Sequence, residues 1–333
     1  MNFSNLNKVV LTASLLATGF SYADSDRPLL SLSVSQSGGT ALNNEGSLDT
    51  RTPASQSRVL PIWGDEARAR GYDIPEPFGI GYNYMNLRQD VIVDKIGFNS
   101  STEFGQGIFS QLLIDVGHTR SSNESHMLKL DTWVFPFMNV YGVYGKTKGS
   151  STAQLKSVGF NVDAPLVENV PFDLNYEGKT YGTGFTLAGG YNQFFGTFDL
   201  NYTKTNLDIL DGDIKALVIT PRVGYEFIFS PLISGQGNTK LQVWTGAMYQ
   251  DITQRFKGDI SKLSLPGEFG DIMNKPWIKP LMGDMKFDVE QHLAHKWNQI
   301  LGARLEVTRN FNVITEVGFN NRNSFLISGE FRF

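Results

Sequence analysis

The chain contains no cysteine. That excludes a disulfide framework, a thiolate nucleophile and any Cys-ligated metal. It also lacks a surplus of positive charge, with 29 Lys and Arg against 33 Asp and Glu. Phosphate binding needs a basic face, so nucleic acid is not an expected partner. No phosphate-loop pattern follows the glycine-rich spots such as Ser234 to Gly237, and no nucleophile-elbow motif is present. Beyond the N-terminus, no apolar run is long enough for a transmembrane helix.

What is present begins with a targeting pattern. Lys8 is the only charge in the first 23 residues. An apolar run from Val9 to Phe20 follows, and Ser21-Tyr22-Ala23 offers small residues for cleavage before Asp24. Residues 1–23 therefore read as a secretory signal peptide. Residues 24–59 are rich in Ser, Gly, Asn and Thr and read as a flexible leader. Residues 60–77 form a small charged block. Asp65 and Glu66 precede Arg68 and Arg70, with Gly71 as a stop, an order that suits a short helix and its dipole. Pro75 and Pro77 then favour an extended connection.

From Phe78 the dominant signal is alternation with period two. Tyr181, Phe185, Leu187 and Tyr191 share one face, with Gly182, Gly184, Thr186 and Ala188 on the other. Leu217, Ile219, Val223, Tyr225 and Phe227 lie opposite Thr220, Arg222 and Glu226. A sheet with one apolar and one polar face requires this pattern. Segments of this kind fall near 78–87, 91–98, 108–118, 125–134, 137–147, 180–191, 196–206, 214–228, 238–250, 297–308, 312–320 and 323–333.

A soluble sandwich also alternates, but it turns its apolar face inward. A transmembrane barrel turns that face to lipid and its polar face to the lumen. The polar faces here carry charges of both signs in mid-strand, which a sandwich core would not accept unpaired. Segments of about ten residues match a tilted membrane crossing. The chain also ends with Phe325, Ile327, Phe331 and Phe333 on one parity and Ser328, Glu330 and Arg332 on the other. This ending resembles the C-terminal strand of Gram-negative outer-membrane β-barrel proteins, although Gly329 stands one place from its usual position there.

The resemblance implies recognition of that strand, through Phe325, Ile327, Phe331 and Phe333, by the barrel-assembly machinery. The expected fold is all-β, an antiparallel transmembrane β-barrel of about 12 strands (range 10–14) over residues 78–333, with both termini periplasmic. Long outer loops are expected at 148–179 and 251–296. The expected location is the bacterial outer membrane, with lipid and lipopolysaccharide as partners.

Parity assigns Lys129, Asp131, Asp199, Asn201, Arg222, Glu226, Arg304, Glu306, Glu316, Glu330 and Arg332 to the lumen. Such a lining either selects small solutes in a channel or pairs internally and fills a narrow interior. The first expectation for function is a narrow porin-like channel. An enzyme acting on lipid or lipopolysaccharide is the alternative, with His118 near Asp115, Ser121 and Ser122 as the only nominee. A third is a surface-interaction barrel. No cofactor is expected, and His292 and His295 lack an obvious third metal ligand. Asp65, Glu66, Arg68 and Arg70 are candidates for a plug at the barrel mouth.

Overall fold

The computed structural model describes residues 59–69, 72, 74–99, 113–159, 167–208, 212–234, 238–259 and 286–333, with residues 41–42, 48–49, 107 and 275–276. The expected signal peptide lies outside the described residues. So does most of the expected leader, in which Ala41–Leu42 pairs with Leu48–Asp49.

The alternating segments form one closed antiparallel sheet of eleven segments. They are β1 (Phe78–Asn99), β2 (Leu113–Phe135), β3 (Met138–Gly159), β4 (Val167–Tyr191), β5 (Phe194–Leu207), β6 (Asp213–Phe229), β7 (Thr239–Asp259), β8 (Lys286–Leu293), β9 (Trp297–Glu306), β10 (Phe311–Phe319) and β11 (Arg322–Arg332). Apart from β8 and β9, each neighbour in sequence pairs with the next, β9 pairs with β7, and β11 returns to β1 through Arg332 opposite Gly79 and Arg322 opposite Gln89. The chain is all-β with about the expected number of strands.

β8 and β9 run in one line beside β7, which meets β9 from Lys240 to Tyr249 and β8 from Thr253 to Asp259. The eleven segments therefore make ten staves. Partners can be followed from Phe311 through Phe331, Ile80, Leu130, Gly142, Thr183, Tyr202 and Leu217 to Asp251. By its return to β9 the register has climbed about twelve residues, a stagger that goes with strands tilted by about 40°.

Ten tilted staves enclose a narrow interior, wider than the eight-strand barrels whose side chains fill the space, but far short of a wide aqueous pore. The outer surface is apolar. Ile80, Tyr82, Leu128, Leu130, Phe198, Val223, Leu301, Val317 and Ile327 are all exposed. Exposed aromatics rim this band at the end where β1 begins and β11 ends, here the terminal end, with Phe78, Tyr191, Phe194, Phe229, Phe311 and Phe333. A second rim holds Tyr144, Tyr181, Tyr202, Trp297, Phe319 and Phe325. About eight to ten residues of each strand separate the rims, on the order of 20–25 Å at this tilt.

Beyond the second rim the outward residues become charged and pair across strands. Examples are Lys148 with Glu177 at 3.4 Å, Lys204 with Asp213 at 3.3 Å and Arg255 with Glu290 at 2.7 Å. This change of polarity explains where the expected boundaries fail. Residues 88–90 and 119–124 read as connections between separate strands, yet β1 and β2 run straight through them. The expected loops 148–179 and 251–296 also shrink. β3 continues to Gly159, β4 begins at Val167, β7 continues to Asp259 and β8 begins at Lys286. A strand that leaves the apolar band needs no greasy face, so it reads as loop.

Two hairpins end early, β5–β6 at residues 208–212 and β10–β11 at Asn320 and Asn321. Asn320 takes a positive φ of 90°, which a tight turn requires and asparagine tolerates. Above the second hairpin β1 changes partner. Val91 to Asn99 pair directly with β8, and Ala294 N–H donates to the Asp90 carbonyl.

Candidate functional site

The lumen is layered, and the layers follow from parity and register. At the terminal end, buried Trp133, Ala188, Phe195 and Trp244 cluster with Ile314. The charged residues sit beside and above them. Glu316 accepts two hydrogen bonds from Arg222, 2.7 Å from Nε and 3.2 Å from Nη2, and a third from the Trp244 indole at 2.8 Å. Lys129 donates to Glu330 at 2.9 Å, and Arg332 Nη2 to Asp131 at 2.8 Å. Asn139 adds a 2.7 Å bond to the same Asp131 oxygen. Asp199 is held by neutral donors, Tyr141 at 2.9 and 3.0 Å, Thr186 at 2.7 Å and Asn201 at 3.0 Å.

All the parity-assigned residues therefore lie on the inner face. Glu226 and Glu306 sit lowest, where Gln242 donates to Glu226 at 2.6 Å and Lys240 lies 3.6 Å from Glu306. Arg304 lines the same space. Its buried Nε has no hydrogen-bond partner, and its charge acts on the Glu330 carboxylate.

Above this floor the lumen opens into a cavity of about 450 Å³. Its walls include Met85, Leu87, Met127, Val143, Val218, Met248 and Leu326. A rung of hydroxyls crosses one wall, Ser125 to Thr147 at 2.9 Å, then Thr147 to Thr180 and Thr180 to Thr205, both at 2.7 Å. Higher still the interior closes over. Val91, Ile252 and Leu293 cluster there, and Phe256 is fully buried with its ring 5.1 Å from that of Tyr176. Gln291 bonds Gln254 and reaches Ser151 at 3.4 Å.

The described residues of the charged segment, 59–69, 72 and 74–77, lie at the terminal mouth. The expected helix is there, α1, Gly64–Ala69. Ile62 N–H donates to the Val134 carbonyl at 2.8 Å, and Trp63 lies 5.0 Å from Phe135 at the β2–β3 turn. The segment is fixed next at the β9–β10 turn, where Arg309 donates to Glu76 at 2.7 Å and to the Ile74 carbonyl at 3.0 Å. Arg332 also donates to the Glu76 carbonyl at 3.1 Å. Ala67, Ile74 and Pro75 of the segment are buried. Asp65 and Glu66 are exposed, and the Arg68 and Arg70 side chains lie outside the described residues. Sequence reading missed Glu76 and Arg309, although a lone carboxylate between two prolines was a visible signal.

The nominated hydrolytic set is not brought together. His118 is exposed and meets Asp90 at 3.2 Å, and Asp115 meets Lys156 at 3.9 Å. Ser121 is buried in the lumen against Tyr176 at 3.3 Å, on the face opposite His118. Ser122 shares the His118 face, but four residues along a strand is about 13 Å. His292 lies on β8 against Asp94 at 2.7 Å, with His295 exposed in the break that follows. Among the described residues no three His, Cys, Asp or Glu side chains group as metal ligands.

No known protein family matches the chain, and none of the curated proteins does. Among solved structures it is similar to the transport unit of the autotransporter AIDA-I from Escherichia coli. The identity is 9%, over 77% of this chain and 90% of that one, with a TM-score of 0.34. The toluene transporter TbuX from Ralstonia pickettii gives 8% identity over 78% and 90%, with a TM-score of 0.27. OmpF from Salmonella typhi, in complex with daunomycin, gives 9% over 75% and 97%, with a TM-score of 0.13. Scores this low carry no argument about function, and the closed barrel rests on the chain's own pairings.

Proposed function

We propose that this chain is an outer-membrane β-barrel that acts as a narrow, gated channel for small solutes. The observation that carries the reading is the inverted wall. An exposed apolar band with two aromatic rims surrounds an interior of charged and hydroxyl side chains, the polarity that lipid outside and water inside demand. The terminal end is assigned to the periplasm. Its connections at 136–137, 192–193, 230–238 and 307–310 are at most nine residues long, while the opposite end carries 208–212 and 320–321 but also 100–112, 160–166 and 260–285. The last strand, with Phe325, Ile327, Phe331 and Phe333 facing outward, is the surface offered to assembly machinery.

The gate in this reading is the segment across the terminal mouth, tied by Glu76 to Arg309 and Arg332. Planar-bilayer recording tests it. The full chain is expected to show rare, small openings. Glu76→Ala with Arg309→Ala, or removal of residues 24–75, is expected to give frequent ones. A barrel that stays electrically silent in all three forms overturns the channel.

A further inference from the structure

We infer that the chamber above the charged floor binds an amphipathic monoanion, an apolar body carrying one carboxylate. The first ground is the lining. The lumen of a membrane barrel is expected to be polar, yet Met85, Leu87, Met127, Val143, Val218 and Met248 face this one. Methionine is unbranched and polarizable, and it adapts to ligands of varied shape. A cavity of about 450 Å³ in which apolar side chains adjoin hydroxyl, amide and charged ones has the size of small-molecule sites.

The second ground is the floor. Three of its cations are engaged: Lys129 with Glu330, Arg332 with Asp131, and Arg222 with Glu316. Asp199 is the carboxylate left without a cation in hydrogen-bonding reach, and Tyr141, Thr186 and Asn201 already donate to it. Arg304 differs in one respect, because its charge acts on Glu330 while its Nε is left without an acceptor. It lines the same cavity with a buried Nε that meets no acceptor. A half-buried guanidinium with an unused Nε–H favours a carboxylate, which accepts in the geometry the fork presents. An ammonium head would instead have to displace donors from Asp199. The ligand thus places its carboxylate on Arg304 and its apolar body among the methionines.

This inference goes beyond the channel, and its test does not depend on conduction. The full chain in lipid nanodiscs is titrated calorimetrically with decanoate, decanol and decylammonium, and lipid-only discs serve as blanks. The expected result is one decanoate per barrel, bound about tenfold more tightly than decylammonium. Arg304→Gln is expected to remove that preference while decanol binding stays, and Arg304→Lys to restore part of it. Met127→Trp, which fills the chamber, is expected to abolish binding of all three. Decanoate uptake no greater than in empty discs overturns the site. Equal or better binding of decylammonium by the unaltered chain overturns the anion assignment without any substitution. A silent barrel that still binds decanoate leaves this inference standing and removes only the channel.

Discussion

The floor and the chamber occupy one lumen, a few residues apart on the same strands, and they are built in opposite ways. The floor is dense. Its carboxylates are almost wholly covered, with the Asp131 side chain 1% exposed and that of Glu330 6%. Charges removed from water to that degree persist only when paired and hydrogen-bonded. The chamber is sparse. Side chains of middle size stop short of one another, and its hydroxyls bond to each other along one wall. The difference teaches that the interior of a narrow barrel is not set by strand number alone. Long charged side chains that reach across the axis close it, and methionine and valine at the next level leave it open.

Breaking the floor has the largest expected effect. Asp131→Ala takes from Arg332 its hydrogen-bonded carboxylate, leaving Glu330 at 4.0 Å, and takes from the Asn139 amide its acceptor, and breaking a buried ion pair costs about 3–5 kcal/mol. Urea unfolding in detergent micelles measures it, and a double-mutant cycle with Arg332→Met is expected to recover most of the loss.

Gly302 comes next. A Cβ there would sit 2.4–2.6 Å from the Trp244 ring, so Gly302→Ala must push the indole from Glu316. Overpacking of this kind costs about 1–3 kcal/mol, and a shifted tryptophan emission accompanies it. Emission unchanged from the parent would mean the floor is looser than described.

The chamber is expected to be tolerant. Met248→Ala in a well-filled core would cost about 2–5 kcal/mol. Here the side chain borders open space, so a loss of about 1 kcal/mol is expected in the same unfolding assay. A full core penalty would erase the contrast between the two layers. Least of all should be felt beyond the second rim. The exposed pair Arg255 and Glu290, 2.7 Å apart, is solvated and screened. Arg255→Ala is expected to leave the unfolding midpoint unmoved.

Much of the wall was legible in the sequence because the band imposes a strict period. Every lumen residue assigned by parity, from Lys129 to Arg332, lies on the inner face. Legibility ended where the constraint ended. Arg88, Asp90 and Glu124 are polar because they stand above the apolar band, and polarity alone does not distinguish a solvated strand from a loop. The floor was half legible, since parity supplies the charges but not their partners. Pairing Arg222 with Glu316 joins residues 94 positions apart, and register across four strands decides it. The Glu76–Arg309 tie was illegible for the same reason. The chamber escaped notice because its methionines and valines interrupt the alternation and read as noise.

The change of partner along β1 has a mechanical consequence. Below Gln89 this strand holds the last strand of the chain, and above it holds β8. The seam between the two ends of the chain is thus hinged rather than free along its length. Were the base of the seam to part, the upper part of β1 would still be riveted to the opposite flap. Such a wall can splay like a clothes-peg at its terminal end but cannot unroll.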